Sequence, residues 1–238
     1  MALVTGASGA IGSATVRALE LEGYVVVGFD RIAATGAPHH HVIELSDAAA
    51  LDAVVARVRA LGPLAHVISI AGGAVPGEPA TRDDPTKVSP ELFRLSIDQN
   101  LTTQFLLLRA VLPWLRETVG RDRSVTFTSS FNALSAQGMA AYSAAKAGLI
   151  GMMYALVDPL GAEGIRINVL APGTIRTPRT ERLYADTPGH FERLARTTAL
   201  GRVGTPDDMA EGYVALTRMR HTTGHVLVLD GGQVAIRR

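Results

Sequence analysis

The sequence lacks cysteine and contains almost no lysine. Without a Cys among its 238 residues, the chain cannot use disulfides, thiolate catalysis or cysteine-ligated zinc and iron–sulfur sites. Lys87 and Lys146 are the only lysines among 23 basic residues, and all the others are arginine. Because Lys146 lies inside an apolar stretch, it becomes a candidate for a specific chemical task.

Strong net charge, repeats and linkers are also missing. The formal net charge is +1, so no sequence-wide field attracts nucleic acid or an acidic membrane. An apolar fraction of 47% is sufficient for a core at this length and excludes intrinsic disorder. No basic leader or internal linker is visible, so we expect one domain, residues 1–238, in the cytoplasm, without nucleic-acid or membrane partners.

Short apolar runs alternate with longer helical patterns. Strands are predicted at residues 2–5, 24–29, 41–44, 66–70, 125–129, 165–170 and 226–229. Helices are predicted at residues 10–22, 47–61, 90–118 and 142–160, with Pro113 and Pro159 expected to kink or end the last two. This alternation predicts an α/β fold, a Rossmann-like doubly wound parallel sheet of about seven strands that binds ligands beyond the carboxyl ends of its strands.

The stretch at residues 139–157 is apolar or small except for Lys146. A membrane span would place that ammonium near its centre, which is unfavourable. We prefer a helix buried between the sheet and a second subunit, which predicts a homo-oligomer.

A glycine-rich turn follows the first predicted strand. It contains Thr5, Gly6, Ser8, Ala10, Ile11 and Gly12. Glycines at such a turn let the backbone approach a pyrophosphate, which the following helix N-terminus favours. The next strand ends at Asp30, whose carboxylate can accept hydrogen bonds from ribose hydroxyls and would repel a 2′-phosphate. Asp30 therefore favours NAD, whereas the neighbouring Arg31 leaves NADP open as the weaker alternative.

A tyrosine and a lysine lie four residues apart in the apolar helix. Tyr142 and Lys146 therefore share one helix face. A nearby ammonium and an oxidised nicotinamide would lower the pKa of the phenol, making Tyr142 a usable general acid/base for an alcohol or carbonyl oxygen. Ser129 or Ser130, after the preceding strand, could hold the same oxygen.

Together these features resemble the short-chain dehydrogenase/reductase family over residues 3–232. The turn at residues 5–12 is similar to the family's TGxxxGxG motif, with Ala10 replacing the middle glycine. Residues 69–72 (Ser-Ile-Ala-Gly) stand where the family has Asn-Asn-Ala-Gly. Both asparagines are missing, so the hydrogen bonds that stabilise the central sheet must differ.

The resemblance implies a catalytic set. It assigns Ser130 as the catalytic serine, Tyr142 as acid/base, Lys146 as ribose ligand and pKa-lowering cation, and Asn100 as the residue that keeps a water in a proton relay. Ser130 precedes Tyr142 by twelve residues, one fewer than the commoner family spacing, which Ser129 would restore. We prefer Ser130 and leave Ser129 open.

The resemblance also implies further cofactor contacts. These come from Glu44 and Leu45 at the adenine, Ala71 and Gly72 after the fourth strand, and Pro172, Gly173, Ile175 and Thr177 near the nicotinamide. Residues 176–200 are the expected substrate lid, and its arginines could attract an anionic or carrier-bound substrate or simply form a solvated face. The three consecutive histidines at residues 39–41 cannot easily converge on one ion, so no metal site is predicted.

The sequence therefore predicts an oxidoreductase that transfers a hydride between NAD(H) and a small secondary alcohol or ketone. An NADPH-dependent 3-oxoacyl-thioester reductase is the alternative, and a non-catalytic dinucleotide-binding regulator is a third. The resemblance implies a homo-oligomer, a tetramer or a dimer.

Overall fold

A seven-stranded parallel sheet organises the protein in a computed structural model that describes residues 1–33, 38–81, 83–135 and 138–235. The strands are β1 Ala2–Thr5, β2 Val26–Asp30, β3 His40–Val42, β4 His66–Ser69, β5 Arg123–Thr128, β6 Ile165–Pro172 and β7 Val226–Leu229. Their order is β3-β2-β1-β4-β5-β6-β7, and each neighbouring pair is parallel. The Rossmann-like prediction is confirmed, with the strand order reversing between β1 and β4.

Helices cover both faces of this sheet. They are α1 Ala10–Leu21, α2 Ala48–Val58, α3 Pro90–Ile97, α4 Thr103–Glu117, α5 Ala140–Ala162, α6 Pro178–Leu183, α7 His190–Ala195 and α8 Pro206–Arg218. Alternation along the strands divides the core, because Leu3 packs with α2, α4 and α5 whereas Ala2 and Val4 pack with α1 and α8. Both faces of the strands are therefore buried, as expected for a parallel sheet with helices on each side.

The region predicted as one long helix is interrupted earlier than expected. A π-helical turn at Asp98–Thr102 separates α3 from α4, and it contains Asn100. Pro113 was expected to break or kink the helix near residues 111–112. The break does not occur, since α4 continues through Pro113 to Glu117. Buried neighbours such as Trp114 and Leu115 hold this turn against the sheet despite the missing N–H donor.

The apolar helix α5 is longer than predicted. It continues through Pro159 to Ala162, because Leu160 is anchored in the core. Its length and composition would suffice to cross a membrane. In the fold it instead packs on β6, with Leu149 and Met153 fully buried. This packing fixes the direction in which Tyr142 and Lys146 point.

Candidate catalytic centre

The turn after β1 needs its glycines because the backbone is crowded there. Gly6 has φ 68°, and a Cβ added to it would lie 3.0 Å from the Ala71 nitrogen. A Cβ at Gly12 would lie 1.9 Å from the Gly6 carbonyl oxygen, so the first turn of α1 can pack against the loop only if residue 12 is glycine. Ala10 and Ile11 begin α1 directly behind this loop, leaving the helix N-terminus facing the space where a pyrophosphate would bind.

Asp30 lies at the end of β2 against the same turn. Its Oδ2 accepts a hydrogen bond from the Ser8 backbone N–H at 3.0 Å, and its Oδ1 accepts one from the Ile32 N–H at 3.1 Å. Each carboxylate oxygen keeps lone pairs for a further donor. The adjacent Arg31 is exposed. Glu44 is also exposed beyond β3, whereas Leu45 is buried beneath it.

The hydrogen bonds that replace the missing asparagines come from β1 and α4. The Thr5 hydroxyl accepts from the Ile70 and Ala71 nitrogens at 3.0 and 3.1 Å, which joins the ends of β1 and β4. Gln104 accepts a hydrogen bond from the Ser69 hydroxyl and donates one to the Ala71 carbonyl at 2.7 Å. Gln104, which the sequence did not single out, thus supports the segment at residues 69–72.

The two serines after β5 have different environments. Ser129 is buried, and its hydroxyl donates to the Lys146 backbone carbonyl at 2.8 Å. Ser130 lies at the start of a short 3-10 helix, Phe131–Ala133, where its hydroxyl accepts from the Asn132 N–H at 3.2 Å. Ser130 also forms a side-chain hydrogen bond with Tyr142, which favours a lower pKa of the phenol. Ser130 is therefore the serine beside the phenol.

Tyr142 and Lys146 meet one turn apart on α5. The Lys146 ammonium lies 5.6 Å from the centre of the Tyr142 ring and donates to the Thr128 carbonyl at 2.9 Å. Lys146 is only 2% exposed, which is rare for a lysine. Burial, with a smaller contribution from the Arg179 charge, lowers the pKa of Lys146 to about 7.

The expected depression of the Tyr142 pKa is not found in the protein chain alone. Burial is the largest influence and raises the pKa of Tyr142, with a further increase from the charge of Glu78. The Ser130 hydrogen bond and the Arg179 charge act in the opposite direction but do not outweigh burial. The prediction, which included the charge of an oxidised nicotinamide, stays a prediction for the holoenzyme, because ionising a desolvated phenol is unfavourable in the chain alone.

Asn100 connects the π-helical turn to the loop after β4. Its Oδ1 accepts from the Gly73 N–H at 2.7 Å, and its Nδ2 donates to the Gly73 and Ser96 carbonyls at 3.1 Å. A Cβ at Gly72, where φ is 139°, would lie 2.7 Å from the Asn100 Oδ1 and 3.3 Å from the Lys146 Nζ. Gly72 therefore lets Asn100 and Lys146 approach the same stretch of backbone.

The segment after β6 forms the opposite wall. β6 ends at Pro172, and a Cβ at Gly173 would lie 2.6 Å from the Asp230 Cα. Ile175 is buried, whereas the Thr177 hydroxyl accepts from the Thr180 N–H at 3.1 Å and caps α6. The predicted residues after β1, β4, β5 and β6 all lie at the carboxyl edge of the sheet, where ligands of such folds bind.

Comparisons with known proteins place the chain in a family. Residues 6–233 match the family model described as Enoyl-(Acyl carrier protein) reductase. The chain is 30% identical over 251 residues to the 3-oxoacyl-[acyl-carrier-protein] reductase FabG of Escherichia coli, covering 99% of this chain and 98% of that protein. An oxidoreductase of the short-chain dehydrogenase/reductase family from Burkholderia thailandensis has a similar structure, with a TM-score of 0.88, 34% identity and coverage of 100% and 93%.

The chain belongs to the short-chain dehydrogenase/reductase family. It is also 32% identical over 240 residues to an uncharacterized oxidoreductase of Schizosaccharomyces pombe, covering 98% of this chain and 90% of that protein. This short-chain dehydrogenase/reductase is therefore an oxidoreductase that acts on alcohol and carbonyl groups of small molecules with a nicotinamide dinucleotide, NAD(P).

One charged residue of this dehydrogenase/reductase, Glu78, escaped the sequence analysis as a site residue, whereas Arg179 was covered only by the general expectation for the lid arginines. Glu78 is fully buried in the loop after β4, where its Oε2 accepts from the Val75 N–H at 2.8 Å. Its Oε1 has no hydrogen-bond partner among the described residues. The arginine-rich segment after β6 had suggested only that some guanidinium groups face the substrate, and Arg179 is the one whose charge reaches Tyr142 and Lys146.

Proposed function

We propose that this dehydrogenase/reductase transfers a hydride between NAD(H) and a secondary alcohol or ketone, with Tyr142 as the general acid/base. The convergence of Ser130, Tyr142, Lys146 and Asn100 at the carboxyl ends of β4 and β5 carries the proposal. A regulator that only binds a dinucleotide would have no need of a proton donor beside a buried ammonium.

The chain fits a dinucleotide at three points. The glycine turn brings backbone N–H groups and the start of α1 to the pyrophosphate position. Asp30 holds carboxylate lone pairs at the edge of that turn for the adenosine ribose hydroxyls. The Lys146 ammonium donates a hydrogen bond to the Thr128 carbonyl, and its other N–H groups can donate to the nicotinamide ribose.

Oxidised NAD supplies the hydride acceptor when it is bound. Ser130 donates a hydrogen bond to the substrate oxygen and keeps it beside the phenol. The Tyr142 phenolate takes the hydroxyl proton as the carbinol carbon loses its hydride, and it returns a proton when a ketone is reduced. Lys146 stabilises the phenolate, and Asn100 holds the Gly73 backbone that shapes this centre.

NAD is the preferred cofactor of this proposal because the Asp30 carboxylate would repel a 2′-phosphate. Isothermal titration with NADH and NADPH tests that preference, followed by an alcohol and ketone panel with the tighter-binding cofactor. Turnover that requires NAD(H) and disappears in Tyr142→Phe supports the proposal. Dinucleotide binding without turnover on any alcohol or ketone would favour a regulator.

Reduction of 3-oxoacyl thioesters with NADPH is the second candidate. Its support is the similarity to FabG and the exposed Arg31 beside Asp30. Faster turnover of acetoacetyl-coenzyme A with NADPH than of any free ketone with NADH would select this candidate.

The proposal includes one catalytic domain, residues 1–238, in the cytoplasm, with residues 176–200 as its substrate lid. It also includes a homotetramer or homodimer formed through helices α4 and α5. Phe105 and Tyr154 are 52% and 61% exposed on these helices. An apolar surface of this kind favours association. Sedimentation velocity tests the oligomer.

A further inference from the structure

Arg179 reaches from α6 across to the loop after β4. Its guanidinium donates to the Gly72 carbonyl at 3.1 Å and to the Ala74 carbonyl at 2.5 Å. A Cβ at Gly73 would lie 2.3 Å from its Nη1, so the glycine leaves just enough room for this side chain. The contact ties the segment after β6 to the segment after β4.

This position brings a second cation close to the reacting centre. Gly72 separates the two cations, since its carbonyl binds Arg179 and a Cβ on its α-carbon would touch Lys146. The charge of Arg179 acts on both Lys146 and Tyr142. Arg179 is nevertheless exposed, so a substrate entering from solvent can reach it.

Two other lid arginines, Arg176 and Arg193, are engaged elsewhere. Arg176 pairs with Glu181 at 2.9 Å and lies over the Phe191 ring, 5.0 Å from its centre. Arg193 donates to the Pro188 carbonyl at 2.7 Å. Arg179 has five N–H donors, and its two contacts with backbone carbonyls leave several of them for a ligand.

We propose that Arg179 binds a carboxylate of the substrate near the carbon that reacts at Tyr142, so that hydroxy acids and their oxo acids are the preferred substrates. This inference rests on the proposed function, because Tyr142 must be the acid/base. A guanidinium suits this task since it can donate two parallel hydrogen bonds to a carboxylate. Glu78, a negative residue of the facing loop, is fully buried and is not exposed to solvent.

The test compares 3-hydroxybutanoate with its methyl ester in the NAD-loaded enzyme. The wild type should favour the acid, and R179Q should lower the ratio of the two kcat/KM values at least about 10-fold. The ratio cancels any general loss caused by the broken contacts with Gly72 and Ala74. R182Q is the matched control on the same helix and should keep the wild-type ratio. An unchanged ratio in R179Q would overturn the inference.

A binding measurement distinguishes failure of this inference from failure of the proposed function. Isothermal titration of butanoate into the NADH-saturated protein should show binding that R179Q weakens at least about 10-fold and R182Q leaves unchanged. Equal affinity in R179Q and the wild type would refute the role of Arg179 even if turnover is found. Weakened binding in R179Q without turnover of either substrate would refute the proposed function alone.

Discussion

The Lys146 ammonium lies 5.6 Å from the centre of the Tyr142 ring, held there by the Thr128 carbonyl. Burial acts on both groups in the same sense, since it disfavours the ammonium of one and the phenolate of the other. A bound dinucleotide would bring ribose hydroxyls and phosphates to the lysine. We expect the pair to reach its working charge state in the holoenzyme.

Lys146→Arg tests why a nearly lysine-free chain keeps a lysine at this position. A wide planar guanidinium cannot replace a compact ammonium between the phenol and the Thr128 carbonyl. We expect kcat to fall about 100-fold or more. The loss should exceed what the shift in melting temperature explains.

Lys87→Arg is the matched control for that substitution. Lys87 is the other lysine of the chain, and its side chain is 77% exposed in a pair with Asp84. We expect wild-type kinetics from this variant. Wild-type turnover in Lys146→Arg would refute the assignment.

Alanine substitutions at the two serines should separate catalysis from stability. Ser130→Ala removes the hydroxyl beside Tyr142, so we expect kcat to fall about 100-fold with little change in unfolding. Ser129→Ala removes a donor to the Lys146 carbonyl and should cost about 1–2 kcal/mol in the free energy of unfolding while kcat largely survives. Steady-state kinetics and urea unfolding measure both effects, and the reverse pattern would make Ser129 the catalytic serine.

Glu78→Gln should change the pH profile of alcohol oxidation. The negative charge of Glu78 raises the pKa of Tyr142, so removing it makes the phenolate available at lower pH. We expect the half-maximal pH of kcat/KM to move downward. Arg179→Gln removes a charge that lowers the same pKa and should move the profile upward. Shifts of the same sign in both variants would contradict this electrostatic description.

His66 should make folding sensitive to acid. Its ring lies between the Ser124 hydroxyl at 2.8 Å and the Tyr24 hydroxyl at 3.2 Å, and burial lowers its pKa to about 4. The fold favours neutral histidine, so this contribution is complete above pH 6.5 and is lost as the pH falls toward 4. Between pH 7 and pH 5, we expect the free energy of unfolding of the wild type to fall by about 2 kcal/mol more than that of His66→Gln. Parallel urea titrations of both proteins would show identical pH dependence if His66 were not responsible.

Much of the fold follows from short-range patterns. The short apolar run of β1, which is buried along its whole length, and the Asp47 cap of α2, which accepts from the Ala50 N–H at 2.9 Å, are local features that the sequence displays. The break that was one of two outcomes expected at Pro113 and Pro159 does not occur, because tertiary packing keeps both helices continuous past a missing N–H. The π-helical turn around Asn100 has no sequence signal of its own.

The site was predictable where spacing alone brings residues together. Tyr142 and Lys146 share a helix face, and the glycine turn precedes a helix. Arg179 and Gln104 reach the centre only through contacts between distant segments, such as the hydrogen bond from Arg179 to the Gly72 carbonyl. The pKa of Tyr142 likewise depends on burial, which the sequence does not specify.

Single-turnover oxidation of a secondary alcohol by Tyr142→Phe tests the central claim most directly. Phenylalanine keeps the ring on α5 and removes only the hydroxyl that moves the proton. We predict a loss of about 10³-fold in the rate of hydride transfer, with unchanged NADH affinity and an unchanged circular dichroism spectrum. A rate within a few-fold of the wild type would contradict the role of Tyr142 as acid/base.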